Sequence, residues 1–150
     1  MEGASGELAG RLEEGRHLLD QRVYYEDTDF SGFVYHARYL HFLERGRTDW
    51  LRLLGIDQSI MAQGENGTVF VVRRMEIDFR TPARMDDIVT VTTHASSVKG
   101  ARLTLAQTLS RRGEALLSAL VEVAIVDTAG RPRRLPPALR VILPAGPEAR

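Results

Sequence analysis

Residues 24–49 read YYEDTDFSGFVYHARYLHFLERGRTD, and this stretch decides the fold. Its centre, Asp27-Thr28-Asp29-Phe30-Ser31-Gly32, is a turn: Asp and Ser hydrogen-bond nearby backbone, and Gly32 supplies positive φ. Beyond Gly32 the pattern becomes helical. Tyr39, Leu43, Gly46, Trp50 and Leu53 or Leu54 recur at steps of three and four, the spacing of one buried helix face. Arg38, His41, Glu44, Arg45, Thr48, Asp49 and Arg52 fall between them, on the wetter side. Gly55 ends the helix as a left-handed C′ residue. A glycine at position 46 costs about 1 kcal/mol against alanine, so its place on the apolar stripe predicts a strand passing close by.

Outward from this helix, the chain before it is extended from Leu18 to Glu26, where Val23, Tyr24 and Tyr25 favour strand. Met1 to His17 reads as a polar tail with a helical piece from Leu8 to Glu14. After the helix, Asp57 is placed to cap a short helical piece ending at Ala62, and residues 63–67 form a loop. From Thr68 the period falls to two. Val71, Arg73, Met75, Ile77 and Phe79 alternate with their neighbours until Thr81-Pro82. Three more alternating runs follow, around Val89 to Thr93, Leu103 to Leu109 and Leu117 to Ile125. Lys99-Gly100 and Arg112-Gly113 turn between them, as in an antiparallel meander. The prolines after Arg131 and the segment 144–150 read as an ending tail. The composite is α+β: one long helix wrapped by a five-stranded antiparallel sheet, in a single domain over residues 18–143 between two tails.

Composition narrows the function classes. A chain of 150 residues with 43% apolar content builds one core without a staple. Twenty basic residues balance twenty acidic ones, which gives no electrostatic case for nucleic acid. The absence of cysteine excludes a thiol nucleophile and a thiolate metal site, and it fits the cytoplasm. No run is apolar enough for membrane insertion. His17, His36, His41 and His94 lack metal-ligand spacing, and Ser31 lacks a nucleophile elbow. Glu44 has three readings, a hydrogen bond across a site, an ion pair with Arg47 or a capping role. Lys99, Arg102, Arg111, Arg112, Arg133 and Arg134 are cations able to meet phosphate groups, but they lie at turns and strand ends, the usual place for solvated charge, and none is singled out.

A carboxylate beside a helix start commonly caps the helix or pairs with its dipole. It becomes catalytic when it faces a cleft where helix-start N–H groups, here around Tyr35 to Ala37, await an oxyanion. The run Tyr25 to Asp29, with Gly32, Val34-Tyr35-His36, Tyr39 and Phe42 to Arg45, resembles the signature of hotdog-fold acyl-CoA thioesterases. It is most similar to the Tol–Pal-associated YbgC-type branch, with 4-hydroxybenzoyl-CoA thioesterases more distant, over roughly Val23 to Leu143. The resemblance implies a hotdog fold, no cofactor, and hydrolysis of an acyl-CoA by a homodimer or homotetramer. It implies that Asp29 is the catalytic carboxylate and that His36 supplies an oxyanion N–H, its side chain also contributing. Gly32 and Tyr35 would line the substrate site. Phe33 and Gly46 depart from the branch, which often has a smaller aliphatic and an alanine there. The alternatives are a hotdog protein that binds acyl chains or acyl-carrier protein without turnover, and a hotdog dehydratase.

Overall fold

In the computed structural model, which describes residues 8–135 and 137–143, six strands form one antiparallel sheet against one long helix. The N-terminal residues 1–7 and the C-terminal tail 144–150 lie outside the described residues. The strands are β1 (Arg11–Glu13), β2 (Arg16–Arg22), β3 (Thr68–Phe79), β4 (Ile88–Lys99), β5 (Arg102–Arg111) and β6 (Glu114–Asp127). Their order across the sheet is β1-β2-β4-β5-β6-β3. The long helix α1 spans Arg38–Leu53, followed by short helices α2 (Gln58–Met61) and α3 (Pro137–Ile142).

The expected stripe of α1 is buried at Tyr39, Leu43, Gly46 and Trp50, and Phe42 and Leu51 widen it. Facing it are Val89, Val91 and Ala95 of β4, Leu103, Leu105 and Leu109 of β5, and Leu117 to Ile125 of β6 at alternate positions. Burial of each large side chain contributes roughly 1.5–3 kcal/mol, so the helix and sheet fold as one layer pair. Gly46 sits where the elements are closest. A β-carbon there would lie 2.7 Å from Val91 Cγ1 and 3.3 Å from Gln107 Nε2 and Thr93 Oγ1. Two sheet glutamines tie down helix carbonyls beside it: Gln107 Nε2 donates to Leu43 O at 3.0 Å and Gln21 Nε2 to Phe42 O at 3.0 Å. Gly55 closes the helix at φ +84°, and the Asp57 carboxylate caps α2 by accepting from Ser59 and Ile60 N–H.

The structure corrects the sequence reading in five places. The sheet has six strands in place of five. From Arg11 to His17 the chain is neither a tail nor a helix: β1 and β2 form a hairpin whose two-residue turn, Glu14-Gly15, has φ +51° and +80°. All three β1 side chains are exposed, so hydrophobic pattern carries no sign of a strand made by backbone pairing alone. The first long strand ends at Arg22, because Tyr24 to Asp27 fold back into a single 3-10 turn. In β3 a bulge between Val72 and Arg74 breaks the even alternation. Val72 therefore pairs with Val123 on the inner face, in register with Met75 and Val121, and Val71 turns outward. Last, Pro137–Ile142 is helical, starting on a proline whose missing N–H the first turn does not need.

The fit at Gly46 yields a stability prediction. Gly46→Ala gains helix propensity of about 1 kcal/mol but overpacks a wall whose relief costs about 1–3 kcal/mol, for a net loss near 1 kcal/mol. In a Val91→Ala background the same substitution is neutral or stabilising, because the added methyl enters the vacated space. Denaturant unfolding of the four proteins measures the coupling, and additive effects would contradict the close approach.

Candidate active site

The acidic turn splits its two carboxylates. Asp27 is buried, with 3% exposure: its Oδ2 accepts from Tyr24 N–H at 2.9 Å and its Oδ1 lies 3.3 Å from Arg38 Nε. Its carbonyl takes the Tyr35 N–H at 2.9 Å. Asp27 thus fixes the turn to the first residue of α1. Asp29, two residues on, is exposed and pairs with no cation among the described residues. Its Oδ1 accepts the Ser31 N–H at 2.8 Å and the Ser31 hydroxyl. These donors, the hydroxyl foremost, hold the Asp29 pKa below its ordinary value, and His36 adds to the same direction. Asp29 is therefore ionised at neutral pH.

A bridge between Thr28 and Val34 closes the turn, and Gly32 at φ +88° makes the reversal. The segment after it leads into α1. Tyr35 N–H is already taken by Asp27, whereas the N–H groups of His36 and Ala37 donate to no acceptor among the described residues. These two amides point out of the start of a helix, where orphan donors and the dipole favour negative charge.

Asp29 and His36 line one open cleft of about 300 Å³. Its other walls include Ser31, Phe33, Tyr39 and Phe79 to Pro82. The β3–β4 loop forms the far wall, held by three contacts: Tyr39 hydroxyl accepts Ala83 N–H at 2.9 Å, Val34 N–H donates to Ala83 O at 2.9 Å, and Arg84 stacks over Phe33. The structure brings Asp29 and His36 together and places Gly32 in the turn beside them. The Tyr35 ring is not among the cleft's walls; it packs on the His36 ring at 4.7 Å.

Sequence reasoning missed two contributors. Ser31, read as a turn residue and as a serine without a nucleophile elbow, also orients Asp29; the Asp-x-Ser spacing of an Asx turn was the available signal. The loop Phe79 to Pro82 carried no signal, because only tertiary folding brings it to the turn. Glu44 binds the Thr48 hydroxyl at 2.6 Å and makes no ion pair with Arg47. Of the surface cations, Arg102, Arg111 and Arg133 are engaged with Glu122, Asp87 and Asp127. His41 is exposed, and His17 and His94 are buried in the sheet. Among the described residues no group of three or more acidic or histidine side chains is arranged to hold a metal ion.

The thioesterase-like superfamily matches residues 23–143. The chain belongs to this family. It is 49% identical over 106 residues to the acyl-CoA thioesterase YbgC of Haemophilus influenzae, covering 71% of this chain and 77% of the relative. It is 42% identical over 118 residues to the acyl-CoA thioester hydrolase YbgC of Escherichia coli, covering 77% and 86%. A probable thioesterase from Bartonella henselae superposes with a TM-score of 0.77 at 46% identity, covering 81% of this chain and 99% of that one. The α+β architecture is accordingly the hotdog fold of these thioesterases, with β1 as its sixth strand.

The hydrogen bonds at Asp29 predict a titration. Ser31→Ala removes the largest cause of its lowered pKa, so the midpoint should rise toward the ordinary 3.8. An NMR titration of the Asp29 carboxyl carbon reads this directly; an unchanged midpoint would remove Ser31 from the site.

Proposed function

We propose that this chain hydrolyses acyl-CoA thioesters to the free acid and CoA, with Asp29 as the catalytic carboxylate and the His36 N–H as oxyanion donor. The observation that carries the reading is the meeting, in one cleft, of the ionised Asp29 carboxylate with His36, whose helix-start N–H has no acceptor among the described residues. A thioester carbonyl lodged at the His36 N–H would be polarised, and the charge developing on its oxygen would be met by a fixed donor. Loss of one such donor costs about 10²–10³ in kcat. Asp29 either adds to the carbonyl carbon, expelling the CoA thiolate, or takes a proton from the water that adds. Family membership and the YbgC relatives support the hydrolytic reading over acyl binding without turnover and over dehydration.

The assembly we propose follows from the sheet edges. β1 exposes an edge of three residues, whereas β3 exposes twelve, with Val71, Val72 and Phe79 40–50% exposed. A long free edge is normally paired or covered. Two copies joined antiparallel along β3 about a two-fold axis would make one continuous sheet, and two such dimers a tetramer. Acyl-carrier protein as a donor of the acyl group stays within the same chemistry. The cysteine-free composition fits the cytoplasm, and among the described residues no helix is long and apolar enough to cross a membrane.

Asp29→Asn should lower kcat for thiol release from acyl-CoA by at least about 10². Asp27→Asn should instead lower stability, by about 1–3 kcal/mol, with a much smaller effect on the folded enzyme. Equal kinetic effects, or full activity in Asp29→Asn, would overturn the assignment. Sedimentation across a dilution series should show specific activity falling with dissociation. A fully active monomer would contradict the shared edge.

A further inference from the structure

A second pocket, of about 170 Å³, opens between α1 and the inner face of β3, where the helix leaves the edge strand uncovered. Phe70, Val72, Leu105 and Val123 give it apolar walls, and Arg47 and Thr48 approach from the helix. Arg47 is half-buried there and pairs with no carboxylate among the described residues. Its Nη1 donates to Gln107 Oε1 at 3.1 Å, and no other acceptor among the described residues takes its N–H groups. Gln107 cannot swing away, because its Nε2 is held by Leu43 O at 3.0 Å and Thr93 Oγ1 at 2.9 Å. Glu44, which lines the same pocket, spends an oxygen on the Thr48 hydroxyl; burial lowers the Arg47 pKa from its ordinary value, and the Glu44 charge opposes that shift.

A guanidinium stays charged, and its planar fork of donors matches a carboxylate. The walls around it match methylenes. The volume is below the roughly 300–1,000 Å³ of drug-sized sites, so the occupant is short. Position matters as well. The pocket adjoins Phe70 to Val72 at the start of β3, and the Asp29 cleft adjoins Phe79 at its end. Antiparallel pairing of two β3 strands about a two-fold axis would set one copy's pocket beside the other copy's cleft.

We infer that the Arg47 pocket receives the distal carboxylate of a short acyl group, so that the substrates include mono-CoA thioesters of dicarboxylic acids. The inference rests on the thioesterase reading and on pairing along β3. In it Asp29 of one copy and Arg47 of the other hold opposite ends of the acyl chain, and the hydrolysis itself is unchanged: the C–S bond breaks, water supplies the new C–O bond, and CoA leaves as the thiolate.

The test compares kcat/KM for malonyl-, succinyl-, glutaryl- and adipyl-CoA with straight alkanoyl-CoAs of equal chain length. The wild type should favour the carboxylated partner at one length or more, and Arg47→Met should cut that preference about 10- to 100-fold. Arg47→Lys, which keeps the charge without the fork, should retain part of it and serves if the methionine variant does not fold. No preference in the wild type, an unchanged ratio, or equal loss on both substrate series would overturn the inference. The last outcome would make Arg47 only a brace for Gln107. Occupancy has its own readout, because the single tryptophan, Trp50, is buried against this pocket. In Asp29→Asn, titration with glutaryl- and adipyl-CoA should change Trp50 fluorescence, and Arg47→Met should weaken that response about 10-fold or more. A response without any thioester hydrolysis by the wild type would sink the thioesterase reading and leave the carboxylate pocket standing; hydrolysis without the response would do the reverse.

Discussion

The contact between α1 and β4 at Gly46 sets the geometry of the whole molecule. With no side chain there, the helix backbone settles against Val91, and Gln107 and Gln21 come within reach of the helix carbonyls. Those amides would be costly to bury without partners, and the helix carbonyls have spare lone pairs to satisfy them. Close approach, apolar burial and polar satisfaction therefore support one depth and one rotation of the helix. Because the depth is fixed, so is the place where the helix begins, and the candidate chemistry stands at that beginning.

Two aspartates two residues apart illustrate how environment separates chemically identical groups. Asp27 faces inward and is consumed by Tyr24, Arg38 and the entry to the helix. Asp29 faces outward on the same turn, receives only Ser31 donors and keeps an oxygen open to the cleft. The first makes the turn rigid enough for the second to be aimed. Rigidity continues on the far side, where Tyr39 and Val34 hold Ala83 and so hold Phe79 to Pro82 as a wall.

Much of this was legible in the sequence, and the reasons are physical. The helix was readable because its 3.6-residue stripe is long, and Gly46 because a costly residue on a buried face implies a neighbour. β4 to β6 were readable because one face is buried and the other wet along each strand. β1 was not, since an exposed three-residue edge strand is defined by hydrogen bonds that leave no mark on side-chain type. The β3 bulge was hidden because one extra residue keeps the composition and changes only the phase. At the site, Asp29 and His36 stood out through the motif they share with known enzymes, more than through any pattern of polarity. The wall from β3 depends on residues distant in the chain, so local sequence does not encode it, and the inward turn of Asp27 rests on Tyr24 and Arg38, nearby residues whose pairing no periodicity marks.

The hairpin of β1 and β2 bears on growth. A sheet with two long free borders can add copies at either side without end, whereas a border of three residues carrying Arg11 and Glu13 offers a newcomer few ladder bonds and a charged rim. That asymmetry makes propagation one-sided: a copy that joins along the long border presents only its own blunt one outward. A few residues outside the helix-bearing core would in this way set a stopping rule, and a chain shortened before β2 would gain a template for uncontrolled fibre-like addition.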